Sequence, residues 1–316
     1  MLASPVYPLH AQTLVPAGEA RVEYGYAGTR VPIWSGGVLL PIQNNGSQSP
    51  VIHFIDDTGK EGEPFTFSIP GTGNIMIADV SRGPDGTYAL CGWTLYDREG
   101  RGRDGFISWI PPSRRDVTTV WPYPYHAQQI AIAPDGTTWT QGSDIVYGAD
   151  WTGSQNGVIR RFDKSGKQIG SWIPRNSILR EVPDSFGLSQ GKLAVNKDRA
   201  GWYASVAHMY FELTFDGDKI SKPVSYPGIA PPKDDTLATG LAIMDTGDVY
   251  LTVYRYTAEP DLMYRLDRTN SSWVALPNPV NPDGKLNSQP LILGGDGKRL
   301  ALFGGPESVI FLKPGD

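Results

Sequence analysis

A tight turn recurs along this chain at near-constant spacing, each time directly after a β-type run. It closes VPIW-SGG at Gly37, SRGPDG at Gly86, IAIAPDG at Gly136, LAVNKD at Asp198, LAIMDTG at Gly247 and LILGGDG at Gly297. The successive spacings are 49, 50, 62, 49 and 50 residues. A period of this length means stacked copies of one supersecondary unit, since no single copy can bury its own apolar face.

Two further sets of segments keep the same phase. The first holds VIHFIDDTG from Val51, FISWIPPSR from Phe106, VIRRFDKSG from Val158, YFELTFDGD from Tyr210, LMYRLDRTN from Leu262 and VIFLKPGD from Val309. Apolar and variable positions alternate in these runs before a turn cluster, the pattern of a half-buried strand entering a hairpin. The second holds FTFSIPG, VTTVWPYP, IGSWIP, PVSYPG and WVALPNP, short strands that stop at proline or glycine. One period is therefore strand, DG-type turn, strand, loop, strand, turn, strand. Four antiparallel strands in about fifty residues are one propeller blade. The expected fold is all-β, a six-bladed β-propeller.

The sixth period supplies only three strands before the chain reaches Asp316. An orphan run, Arg21-Val22-Glu23-Tyr24-Gly25-Tyr26-Ala27-Gly28, precedes the first period and fits the fourth-strand pattern. The N-terminal strand is expected to complete the last blade, which removes an exposed sheet edge. Residues 19–316 then form one domain. Residues 1–18 are expected to be the remnant of a signal peptide or an irregular terminus, with Leu9-His10-Ala11 resembling a small-residue cleavage site.

Composition agrees with this architecture and excludes several functions. Glycine (37) and proline (27) are too frequent for a helical bundle. A net charge of −5 argues against a nucleic-acid partner. No apolar run is long enough for a membrane-spanning helix. The single cysteine, Cys91, permits no internal disulfide and no cysteine metal cage, and is expected to be a small buried hydrophobe.

The segment Gly157-Val158-Ile159-Arg160-Arg161-Phe162-Asp163-Lys164-Ser165-Gly166-Lys167 resembles the second half of an NHL repeat. Gln129-Ile130-Ala131-Ile132-Ala133-Pro134-Asp135-Gly136 resembles its opening strand, and also the PDG repeat of TolB-like propellers. The resemblance runs through all six periods in degenerate form. It departs from the NHL pattern where Gln141 or Ser143 stands in place of the usual aspartate. The resemblance implies a ligand site at one mouth of the central channel. That mouth is built from the loops entering the inner strands and the loops between second and third strands.

The polar side chains on those loops are the candidate ligand-binding residues: Arg101, His126, Gln128, Trp151, Gln190, His208, Tyr256 and Gln289. Three of the second-to-third loops are long, from Tyr96 to Asp104, Gly142 to Asn156 and Tyr254 to Asp261, as functional loops on a rigid scaffold often are. Trp151, beside Asp150, is the expected stacking residue. His126 and His208 are placed at the same mouth and His53 too far from the axis to join them. No catalytic residue is assigned.

Other motifs have simpler explanations. Gly187-Leu188-Ser189-Gln190-Gly191 matches G-x-S-x-G, but a strand follows where a nucleophile elbow needs a helix. Asp56-Asp57-Thr58-Gly59 and Asp216-Gly217-Asp218 are hairpin turns rather than calcium loops. Asn45-Gly46-Ser47 and Asn270-Ser271-Ser272 are sequons of a common kind. Arg114-Arg115 is expected to be a solvated turn pair at the opposite mouth. Trp109, Trp121 and Trp172 are expected between blades, and Trp34, Trp93 and Trp139 in the core.

The function expected is binding of a small polar ligand or a protein surface by a monomeric propeller, secreted or periplasmic and otherwise cytoplasmic, without catalysis and without a cofactor. The alternative is a metal-dependent hydrolase or lyase resembling six-bladed gluconolactonases, which would bring Ca2+ or Zn2+. That family places a metal-binding glutamate in its first inner strand. Here Thr29-Arg30-Val31-Pro32-Ile33-Trp34 has no carboxylate, and Thr239-Gly240-Leu241-Ala242 has threonine where asparagine would stand. A third possibility, a scaffold in an envelope complex, rests on the TolB-like turns alone.

Overall fold

A computed structural model describes residues 14–21, 33–42, 49–94, 104–145, 156–178, 191–205, 207–229, 236–255, 262–276, 292–305 and 308–314. Strand β1 is Leu14–Arg21. Blade 1 is β2 (Ile33–Trp34), β3 (Val38–Ile42), β4 (Val51–Ile55) and β5 (Phe65–Thr66). Blade 2 is β6 (Ile75–Arg82), β7 (Tyr88–Thr94), β8 (Gly105–Ile110) and β9 (Thr118–Val120). Blade 3 is β10 (Tyr125–Ile132), β11 (Thr138–Asp144), β12 (Gly157–Phe162) and β13 (Gln168–Pro174), followed by a short helix, α1 (Arg175–Ile178). Blade 4 is β14 (Gly191–Val195), β15 (Arg199–Ala204), β16 (Met209–Asp216) and β18 (Val224–Pro227), with the two-residue β17 (Lys219–Ile220) set in its last hairpin. Blade 5 is β19 (Thr236–Ile243), β20 (Val249–Arg255), β21 (Leu262–Asp267) and β22 (Ser272–Leu276). Blade 6 is β23 (Ile292–Gly295), β24 (Leu300–Gly305) and β25 (Ser308–Pro314), with β1 as its outer strand.

Turn chemistry explains the period. Gly86, Gly136, Gly247 and Gly297 all have φ between 82° and 91°, a left-handed conformation that only glycine adopts without strain. Before three of them an aspartate caps the turn, as when Asp135 Oδ1 accepts from the Thr137 N–H at 2.8 Å. Blade 4 uses Asn196 instead, whose Oδ1 accepts from Asp198 and Arg199 N–H groups. The one long spacing in the repeat falls between β13 and β14, where α1 lies.

Packing explains the ring. The buried side chains fall into clusters that each join one pair of neighbouring blades. Leu39 and Ile52 of blade 1 meet Ile77, Leu90 and Phe106 of blade 2. Cys91 and Ile107 meet Tyr125, Ile130 and Phe162, and Trp139 and Ile159 meet Trp202 and Phe211. Tyr203 and Tyr210 meet Leu251 and Val253, and Tyr250 and Met263 meet Leu302 and Leu312. Trp34 and Leu40 of blade 1 meet Phe303 and Phe311 of blade 6, so the ring closes on itself. Each fully buried Leu, Ile or Phe is worth about 1.5–3 kcal/mol. Both faces of a blade are therefore core, and β12 is buried along its whole length, Arg160 and Arg161 included.

The N-terminal strand does close the last blade, but with an earlier segment than the sequence predicts. β1 pairs antiparallel with β25 from Leu14↔Pro314 to Arg21↔Ser308. Residues 22–28 lie outside the described residues. Residues 14–18 are therefore part of the blade 6 sheet. Pro16 and Gly18 make this run look unlike a strand. It tolerates both because it is an outer edge, and because a bulge between Pro16 and Gly18 absorbs the irregularity.

Two smaller expectations are corrected. Trp93 is only partly buried rather than core. Arg114 is not merely solvated. Its Nη2 donates to the Glu63 carbonyl at 2.6 Å and its guanidinium lies 5.0 Å from the Phe65 ring centre, bridging blade 2 to blade 1. Cys91 is fully buried on β7, and burial raises its thiol pKa well above the ordinary value.

Candidate functional site in the central channel

The first strand of each blade lines the channel, and three of these strands carry the same irregularity. β6 is bulged between Ile77 and Asp79, β10 between Ala127 and Gln129, and β19 between Ala238 and Gly240. A bulge turns one side chain out of the alternation and leaves its neighbour unpaired with the ladder. The residues facing the bulges of blades 2 and 3 are Gly92 and Gly142, where a Cβ would collide with the carbonyls of Met76 and His126. The bulged residues are Ala78, Gln128 and Thr239.

Next to the bulges of blades 2 and 3, inner strands are stitched to one another by side chains. Asp79 of β6 accepts from the Ile130 N–H of β10 at 2.8 Å, and from the Val80 N–H at 2.9 Å. Ser81 Oγ accepts from the Ile132 N–H at 3.0 Å, and Ser35 Oγ from the Arg82 N–H at 2.8 Å. The Gln129 amide donates to the Gly191 carbonyl and accepts from the Leu193 N–H at 2.5 Å, imitating a neighbouring strand on either side of Lys192. Blades 2, 3 and 4 thus present Asp79, Gln128, Gln129 and Lys192 on consecutive inner strands.

Asp79 and Lys192 belong to blades that do not touch in sequence order, and they interact electrostatically across the channel sector between them. Desolvation raises the Asp79 carboxyl from 3.8 to about 6, and the N–H bonds and the Lys192 charge only partly oppose it. Desolvation lowers the Lys192 ammonium, opposed by the Asp79 charge. Both side chains keep some solvent-accessible surface, as groups facing a narrow channel should. Among the described residues the Lys192 ammonium makes no hydrogen bond and no ion pair. The Gln128 amide oxygen is likewise buried without a partner.

At the channel mouth, His126 is only 6% exposed. Its ring packs over Gly105, where any side chain would press on it. Burial lowers its pKa, against the Asp104 and Asp144 charges. Beside it Asp144, Asn156 and Arg160 form a polar cluster. Arg160 Nη2 donates to Asp144 Oδ1 at 2.5 Å and its guanidinium lies 3.8 Å from the Tyr125 ring centre. Asn156 Nδ2 donates to Asp144 Oδ2 at 2.5 Å. His208 sits in the β15–β16 turn with φ 49°, its Nδ1 buried without a hydrogen bond. No hydrogen bond joins it to His126. Arg101, Trp151, Gln190, Tyr256 and Gln289 lie outside the described residues.

Asp79 and Lys192 were not singled out by the sequence, and Gln129 entered only as part of segments such as the polar His126-Ala127-Gln128-Gln129 leading into its inner strand. A signal existed for two of them. Asp79 and Gln129 each stand seven positions before their turn glycines, Gly86 and Gly136, so aligning the repeats by turn puts them in register. Lys192 lies in the blade whose turn lacks that glycine.

No family model matches the sequence, and no curated protein matches it. Solved structures do. A luciferin-regenerating enzyme is 11% identical over 94% of this chain and 96% of its own, with a TM-score of 0.52. The hydrazine synthase of Kuenenia stuttgartiensis is 13% identical over 89% of this chain and 75% of its own, with a TM-score of 0.50. What they share with this chain is the fold. Among the described residues no three His, Cys, Asp or Glu side chains cluster.

Proposed function

We propose that this propeller binds a small polar ligand in its central channel, on the sector lined by blades 2 to 4. The observation that carries this reading is the pairing deficit there. Among the described residues the buried Gln128 amide oxygen has no partner and the Lys192 ammonium makes no hydrogen bond or ion pair, while the neighbouring Asp79 and Gln129 side chains are stitched to backbone. Buried polar groups are normally satisfied, and an unsatisfied one costs about 1–3 kcal/mol, so a ligand that supplies the missing partners gains that much. A rigid ring with its strands locked by side-chain bonds suits recognition. The secreted or periplasmic location expected from the Leu9–Ala11 segment remains part of this proposal.

The test is a thermal-shift screen of saccharides, organic acids, amines and short peptides against the intact protein, followed by 15N-resolved mapping of the contacts. The expected hit raises Tm, perturbs the Gln128 and Lys192 signals and loses its effect in Gln128→Ala. A hit that maps to the outer rim, or none at all, overturns the channel assignment. Turnover of a lactone by the same protein would instead favour the hydrolase alternative.

A further inference from the structure

We propose that Lys192 is the anchor for a small organic monocarboxylate that carries a hydroxyl or amino group beside its carboxylate. The proposal rests on the channel-binding reading above and names its ligand class.

A structural explanation for Lys192 would make it the counter-charge of Asp79. The geometry argues against that. A lysine stem is long and flexible, and a buried lysine held for charge balance would close onto its carboxylate. Here no ion pair forms within 4 Å, and Asp79 directs its oxygens at the N–H groups of Val80 and Ile130 instead. The backbone around Lys192 is fixed on both sides by the Gln129 amide, at Gly191 and at Leu193. The position is built, and the ammonium at its end is left unused by the described residues.

The chemistry of the surroundings selects the ligand. Three N–H donors on one ammonium match a carboxylate, and a desolvated setting strengthens that charge-assisted bond. Asp79 stands on the far side of the same sector. Each of its oxygens accepts one backbone N–H and retains a lone pair, so it can take a proton donor from the ligand. A hydroxyl or an ammonium adjacent to the carboxylate supplies one. A phosphate dianion meets Asp79 as a like charge and is disfavoured. The Gln128 amide adds a further polar contact on the bulge between them.

The test is calorimetric titration of the intact protein with L-lactate, L-serine, acetate and inorganic phosphate. Lactate or serine is expected to bind saturably, and more tightly than acetate or phosphate. Lys192→Met should weaken that binding by about tenfold or more, the loss expected when one charged hydrogen bond is removed. Lys192→Arg should restore most of it, and Asp79→Asn should erase the advantage of lactate and serine over acetate. The side-chain 15N signal of Lys192 in the unmodified protein should shift on ligand addition, which tests the contact even if a variant misfolds. Phosphate binding as tightly as lactate overturns the ligand class. Unchanged affinity in a folded Lys192→Met protein, or a Lys192 signal unmoved at saturation, overturns the anchor. If only neutral compounds from the wider screen bind in the channel, this proposal fails and the channel reading stands. If nothing binds there, both fail.

Discussion

Arg161 offers the most direct measure of how the blades are held together. Its side chain is 2% exposed and spans the interface of blades 3 and 4. Nη2 donates to Asp135 Oδ2 at 2.8 Å, Nε to Thr137 Oγ1 at 3.0 Å and Nη1 to the Gly217 carbonyl at 2.8 Å. The guanidinium lies 5.4 Å from the Trp139 ring centre and 5.3 Å from that of Phe215. Removing one partner of a buried, hydrogen-bonded ion pair costs about 3–5 kcal/mol. Asp135 is half-exposed and can be rehydrated, which pulls the cost toward the lower end. Loss of the contact with two aromatic rings adds about 1 kcal/mol. Arg161→Ala is therefore expected to destabilise the protein by about 4 kcal/mol, read from the urea midpoint at unchanged slope. At about 2 °C per kcal/mol for a chain of this size, the melting temperature should fall by about 8 °C. Arg161→Met keeps an apolar stem between the rings and should recover about half of the loss. If Arg161→Ala unfolds within about 1 kcal/mol of the wild type, the arginine does not pin the two blades and the accounting above is wrong.

Two other outcomes follow from the structure. Because the Asp79 pKa rises from 3.8 to about 6 on folding, the folded state keeps a proton that the unfolded chain releases. That contribution is complete below about pH 4 and is lost as pH rises through about 6, a change of at most about 3 kcal/mol. Asp79→Asn should flatten stability between these limits and exceed the wild type at pH 7; parallel urea titrations of the two proteins, if they showed the same pH slope, would contradict the assignment. Removing residues up to Arg21 strips β25 of its outer partner and should lower the melting temperature of the whole ring in a single transition, since the blade 6 clusters reach into blades 1 and 5. A truncated protein melting at the wild-type temperature would show that β1 adds nothing to closure.

The residues that set the blades were visible in the chain because their effect is local. A glycine at φ near 85° in a tight turn reverses the backbone whatever lies elsewhere, so Gly86, Gly136, Gly247 and Gly297 mark blade positions directly. Alternation in runs such as Phe106–Ile110 marks strands for the same reason. The channel was harder to see. A bulge shifts the side-chain phase by one residue, so alternation alone does not say which of Gln128 and Gln129 is tied to blade 4 and which is left without a partner.

The amino-acid sequence by itself determined the number of blades, their four-strand order and the closing of the ring by an N-terminal strand. Turn propensity and apolar alternation act within a few residues and repeat with the fold. Only the tertiary structure decided that Leu14–Arg21 is the closing strand, that both arginines of β12 are buried, and that Asp79 and Lys192 share one sector of the channel. Each of these depends on what another blade places opposite a residue. That partner lies tens of residues away, and no local pattern encodes it.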